Sequence, residues 1–165
     1  MGISIPLMIL NLLFLGSENV NLIDNTCKNT PNYNLCISVF LEDPRSSSAD
    51  IRGLGLIVID ALKSKAEETA NLIDTLKTTS PGLRSPLNRC AILYFAVLKA
   101  DIPEAVEALS KGVPKFAEDG VADAALEAQS CELAFGSASN SPLTDLNESV
   151  VDLSNVARSI IRMLL

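Results

Sequence analysis

The sequence predicts an all-α protein: an up-down-up-down four-helix bundle preceded by a short N-terminal helical hairpin and tied by two disulfides. Three observations carry that expectation. Apolar residues recur at helical spacing in four long seams, with very little β-type alternation. Proline, glycine and hydroxyl residues punctuate the seams and leave only short links. Four cysteines, Cys27, Cys36, Cys90 and Cys131, sit where such helices would turn, begin or end.

The first 17 residues, MGISIPLMILNLLFLGS, carry no charge and are apolar from Ile5 to Leu15 apart from Pro6 and Asn11. That is the length of a signal-peptide h-region and too short to span a bilayer. Residues 1–17 are therefore expected to be removed, leaving a secreted domain over 18–165. Within it the hairpin covers 18–45 and the bundle 46–165.

Two helical pieces are expected first, Val20 to Lys28 and Pro31 to Leu41, each too short to be stable alone. Cys27 and Cys36 flank the turn between them, so pairing them would staple a hairpin. The first long seam is Ile51, Leu54, Val58, Leu62, Ala66, Thr69, Ile73 and Leu76, closed by Ser80-Pro81-Gly82. The next is Leu87, Ala91, Tyr94, Leu98, Ile102, Ala105 and Leu109. Pro103 interrupts it, and Asp101 with Glu104 resembles a capping box, so a kink or restart is expected there. Gly112 suits a C-terminal cap and Pro114 stops continuation. Ala117, Val121, Ala124, Ala128, Cys131 and Phe135 form a third seam of small residues that permits close packing. The last seam runs Leu143, Leu146, Val150, Leu153, Ala157, Ile160 and Leu164. Thr30-Pro31, Ser85-Pro86 and Ser141-Pro142 each place a hydroxyl before a proline, as a capped helix start would. Four cysteines allow three connectivities. In antiparallel neighbours, Cys90 near one helix start and Cys131 near the next helix end come to the same height.

Composition narrows function. The net charge of -7 argues against nucleic acid and fits a basic partner surface or simple solubility. No other apolar run approaches the length of a membrane span. The chain has no histidine, which removes Ser-His-Asp and Cys-His nucleophile systems and histidine metal sites. No Cys-x2-Cys pair suggests zinc, and no Gly-rich loop suggests phosphate binding. An enzyme, a cofactor and a metal are not expected.

Some residues have simple local explanations. Arg158 and Arg162 suit the helix dipole near a C-terminus, and Glu118 and Asp119 suit a helix start. Tyr33 reads as packing. Asn147-Glu148-Ser149 is a glycosylation sequon on what the seam makes the polar side of the last helix, so Asn147 is a candidate acceptor.

The stretch LSKGVPKFAEDGVADAALEAQSC holds the strongest functional signal. It sets Pro114, Lys115 and Phe116 in a break between helices. Phe116 there either folds back as a staple contact or is offered to a partner. The combination TCKNTPNYNLC, LGLIVIDALKSKAEETANLIDTL, LNRCAILYFAVLKADIPEAVEALSKGVPKFAED, Cys131 and LSNVARSIIRMLL resembles the plant invertase inhibitors, which share a fold with the pectin methylesterase inhibitors. The likeness spans essentially all of the chain after residue 17. It implies the hairpin-plus-bundle fold and the pairings Cys27–Cys36 and Cys90–Cys131, in agreement with the geometry above. It also implies that the Pro114-Lys115-Phe116 loop enters the sucrose cleft of a plant acid invertase in a one-to-one complex, in the apoplast, cell wall or vacuole. Family members often carry an acidic residue before this motif, where this chain has Val113. Two alternatives stand beside this one: a pectin methylesterase inhibitor that binds through helix faces, and a secreted helical binding module without an enzyme target.

Overall fold

The computed structural model describes residues 19–136 and 141–165. The segment expected to be a signal peptide, 1–17, lies outside the described residues. Among the described residues there is no strand.

The hairpin consists of α1 (residues 19–28) and α2 (Tyr33–Glu42). The Cys27–Cys36 disulfide joins them, with the Cα atoms 5.5 Å apart. The start of α2 departs from the expected Thr30-Pro31 cap. Thr30 Oγ1 instead donates to the carbonyl of Cys27, and Asn32 caps the helix by accepting from the Leu35 N–H. The Tyr33 hydroxyl is half-exposed and donates to Asp24 at 2.9 Å, more a surface strut than packing. Phe40 carries the buried face of α2 into the main core.

A 3-10 turn, Pro44–Ser48, leads into α3 (Ile51–Thr79), which Asp50 caps by accepting from the Gly53 N–H at 2.8 Å. Its predicted seam is the buried face: Leu54, Val58, Leu62, Ala66, Thr69 and Ile73 are all sealed from solvent, with Ile51 and Leu76 partly covered at the ends. Ser80 and a short turn over Pro81–Leu83 separate it from α4 (Arg84–Ala96). That helix begins one residue before Ser85-Pro86 and has no side-chain cap.

The helix continues beyond α4 through a π-turn, Val97–Asp101, into α5 (Ile102–Ser110). The Ile102 N–H reaches back five residues to the Val97 carbonyl. The wider turn accommodates Pro103, which has no N–H to donate and whose ring would crowd a normal α-turn. As expected, the chain does not break at Pro103, but the passage is a π-turn and the capping box is absent. Asp101 has helical dihedrals and makes no capping hydrogen bond. Because the chain stays helical through this point, no free N–H group is left for Asp101 to cap, and its Oδ2 is buried without a partner. Burial, with Asp123, Glu127 and Glu104 nearby, pushes its carboxyl up to about 6.

The remaining helices are α6 (Pro114–Leu133) and α7 (Thr144–Arg162). Each helix of the bundle packs on the next, and α7 closes the ring against α3. Directions alternate. Gly55 near the start of α3 meets Leu109, late in α5, and Ile160 and Ile161, late in α7. Cys90 early in α4 is bonded to Cys131 late in α6, with Cα atoms 4.7 Å apart. The small residues of α6 do what their size suggests: Ala117, Ala124 and Ala128 are fully buried. Gly120 is required at its position. A Cβ there would lie 2.7 Å from the Asp101 carbonyl oxygen, so only glycine lets α6 sit against the π-turn.

Candidate functional site

The link between α5 and α6 is shorter than the sequence suggests. Gly112 adopts φ +76, the left-handed conformation that favours glycine. Its N–H donates to the Leu109 carbonyl, and the Val113 N–H donates to that of Ala108 at 2.9 Å. These two bonds form a Schellman closure of α5. Pro114 then occupies the first position of α6, where its missing N–H costs nothing and its fixed φ is already helical. Pro114, Lys115 and Phe116 are therefore the first turn of α6 and not a loop. The three-residue break is complete by Val113.

On this turn Phe116 is 57% exposed, so it is not folded into the core as a staple. Val113, immediately before the turn, is also exposed. The Lys115 side chain is 62% exposed, and its ammonium contacts two carboxylates of its own helix, Asp119 at 2.8 Å and Glu118 at 3.2 Å. Its hydrogen bond to Asp119, then that to Glu118, holds the Lys115 ammonium above its ordinary range.

Glu118 is the residue that sequence reasoning undervalued. It fits a helix start, but it is also buried, with its side chain only 6% exposed. Its Oε1 accepts from Arg162 Nε at 2.6 Å and from Arg158 Nε at 3.1 Å, while Oε2 faces Lys115. The Arg162 hydrogen bond is the main reason its carboxyl falls to about 2, with burial opposing and Arg158 and Lys115 assisting. Arg158 and Arg162 thus do more than complement the dipole of α7. They clamp the last turns of α7 onto the start of α6, one turn in from Lys115. Arg52, at the start of α3, lies over Gly112 at the same end of the bundle. Lys111 and Glu107 pair there along α5 and its C-terminal turn. A single Glu near a helix start gives no sign in the sequence of such a clamp, because its partners are some forty residues away.

The other singled-out residue, Asn147, is corrected by the structure. Asn147 is only 2% exposed. Its Oδ1 accepts from the Tyr94 hydroxyl at 2.7 Å, and its Nδ2 donates to Glu132 Oε2 at 2.7 Å. The Thr144 hydroxyl donates to the other oxygen of Glu132 at 2.6 Å. The nitrogen that would carry a glycan is therefore spent inside the bundle. The cause is a wider apolar stripe than the narrow seam implied: α7 also buries Val156 and Ile161, and that rotation turns Asn147 inward and leaves Leu146 partly covered.

The arrangement brings Pro114, Lys115 and Phe116 together on one rigid, partly cationic and aromatic knob. No group of His, Cys, Asp and Glu among the described residues could hold a metal ion, and no helix among them is long and apolar enough to cross a membrane.

Comparisons with known proteins agree with this architecture. Residues 21–160 match the family model described as plant invertase/pectin methylesterase inhibitor. An Arabidopsis thaliana protein named cell wall / vacuolar inhibitor of fructosidase 1 is 50% identical over 140 residues, covering 85% of this chain and 67% of that protein. A pectinesterase inhibitor from Actinidia deliciosa is 30% identical over 151 residues, covering 85% and 80% respectively. Among solved structures, a mutant form of a pectin methylesterase inhibitor from Arabidopsis superposes with a TM-score of 0.71 over 84% of this chain and 94% of that one, at 19% identity. The family names and the relatives' names describe inhibitors rather than enzymes. With the disulfide-tied helical bundle already in place, the match over 21–160 settles the assignment: the chain belongs to the plant invertase/pectin methylesterase inhibitor family.

Proposed function

We propose that this protein inhibits a plant acid invertase (β-fructofuranosidase) by docking the first turn of α6 into its sucrose-binding cleft, as a one-to-one complex. The observation that carries the proposal is the exposure of Phe116 beside an exposed Lys115 on a helix start tied to α7 through Glu118. The name of the 50% identical Arabidopsis relative, an inhibitor of fructosidase, supports the choice of target.

The chemistry is direct. A retaining glycosidase holds two carboxylates about 5 Å apart in its cleft. An ammonium is a compact cation that can satisfy both, and Lys115 already bridges two carboxylates of its own chain. A phenyl ring beside it can fill the apolar part of a sugar subsite and exclude water, as interface anchors do. The Schellman closure, Pro114 and the Glu118 clamp fix the turn beforehand, so little entropy is lost on docking. No cofactor is needed. The site of action follows the relative's name, cell wall or vacuole, reached by secretion through residues 1–17.

The test is an inhibition assay with oxidised recombinant protein at acidic pH. Replacing Lys115 and Phe116 together by Ala should weaken inhibition by at least about 2 kcal/mol, roughly 30-fold, with the melting temperature nearly unchanged. Full inhibition by the double variant, especially with a large drop in stability, would show that the turn is structural.

The Actinidia relative favours a second target, a pectin methylesterase. Helix faces would then make the contact. The same double variant should retain its full effect on that enzyme, so assaying one invertase and one pectin methylesterase separates the two.

A further inference from the structure

The two carboxylates that hold Lys115 are not equivalent, and the difference bears on how tightly the turn can bind. Glu118 is buried and has two arginines besides Lys115. Asp119 is half-exposed, and its ion pair among the described residues is with Lys115 at 2.8 Å. Both lie on the same helix as Lys115, one turn further in.

We infer that Asp119 limits the affinity of the turn for its target: its carboxylate is an internal competitor that a docking enzyme must displace from Lys115. The inference rests on the function proposed above and adds the residue that tunes it.

The pair is built to exchange. Lys115 precedes Asp119 by four residues, the weaker order for an ion pair along a helix. Lys115 also sits in the first turn, where the helix dipole disfavours a cation. Both partners are solvated, so their contact contributes little to the fold. When Lys115 swings outward to a carboxylate beyond the helix surface, it leaves both acids behind. Glu118 keeps Arg158 and Arg162. Asp119 is left as an unpaired negative charge, close to the acidic groups Lys115 is reaching for. Its presence therefore weakens binding twice, by holding Lys115 in the free protein and by repelling the target's carboxylates in the complex. Glu118 has the opposite role, since it anchors the turn and is neutralised whichever way Lys115 points.

The experiment is a double-mutant cycle on inhibition of one plant acid invertase, using Asp119→Asn, Lys115→Ala and the pair. Asp119→Asn should tighten inhibition by about two- to tenfold at low salt, and by clearly less in the Lys115→Ala background, where only the direct repulsion remains. Unchanged or weaker inhibition by Asp119→Asn, while Lys115→Ala loses inhibition, would overturn the inference and leave the proposed function standing. Equal tightening in both backgrounds would overturn it too, because Asp119 would then act without Lys115. If Lys115→Ala itself inhibits normally, the proposed function fails and this inference fails with it.

Discussion

Replacing Glu118 by Gln tests whether the first turn of α6 is held from α7. The substitution keeps the shape of the side chain and removes its charge. In the native protein Glu118 accepts from Arg162 at 2.6 Å, from Arg158 at 3.1 Å and from Lys115 at 3.2 Å. A buried ion pair that loses one member costs about 3–5 kcal/mol, and an exposed one about 0–1 kcal/mol. This cluster lies between those limits. The carboxylate is buried, but the Arg158 and Arg162 side chains are 40% and 54% exposed and stay solvated when it is lost. Gln can still accept one of the hydrogen bonds. A loss of about 2 kcal/mol is expected, which for a domain of this size lowers the melting temperature by about 4–8 °C. The pH dependence gives a sharper check. The Glu118 carboxyl is held at about 2 in the fold, below an unfolded value near 4.5. Between those values the unfolded chain takes up the proton first, so the contribution is complete above about 4.5 and fades as pH falls toward 2. Thermal unfolding followed by circular dichroism should therefore show a full gap between wild type and Glu118→Gln at pH 6. The gap should close progressively below pH 4.5. Equal melting temperatures at pH 6, or a gap that persists unchanged to pH 2, would refute the clamp.

Two other perturbations follow from buried polar groups. Asp101 has its folded carboxyl raised to about 6 by burial and acidic neighbours, above an unfolded value of 3.8, so its penalty develops as pH rises through that interval. Asp101→Asn should stabilise the protein at pH 7 by about 1–2 kcal/mol, discounted for partial solvent access, and by nothing at pH 3.5; calorimetry at the two pH values decides it. Asn147→Ala would leave the Tyr94 hydroxyl without its acceptor and Glu132 without a donor, at a cost of about 2–3 kcal/mol by denaturant unfolding, and intact-mass spectrometry of protein secreted from eukaryotic cells should find no glycan at Asn147.

What could be read from the sequence, and what could not, divides along the range of the interactions involved. The bundle was legible because its signals are local or periodic. The first seam predicts the buried face of α3, and Gly112 followed by Pro114 marks the α5–α6 junction to within a residue. Prolines misled where tertiary structure overrode the local rule. Pro103 reads as a kink or restart with Asp101 and Glu104 as a capping box, but the chain stays helical through a π-turn, against which Gly120 lets α6 pack closely. Asn147 misled for a related reason. A seam drawn with one residue per turn cannot show which flank of the stripe will be covered, and here Asn147 turns in to meet Tyr94 on α4.

The candidate site shows the same division within six residues. Pro114, Lys115 and Phe116 announce themselves by chemistry that suits no core. Glu118, two residues on, looks like ordinary helix-start polarity, and Arg158 and Arg162 look like ordinary helix-end polarity. Each local explanation has a physical basis, since negative charge near a helix start and positive charge near a helix end are favoured separately. Antiparallel neighbours place those two ends side by side, so the same charges that cap each helix also find one another across the interface. An acid near the start of α6 and arginines near the end of α7 thus form cross-helix ion pairs at this end of the bundle without any further pattern in the sequence. In this chain that end is the one that carries the exposed Phe116 and Lys115, so the rigidity of the knob is a consequence of helix polarity and topology together, and of neither alone.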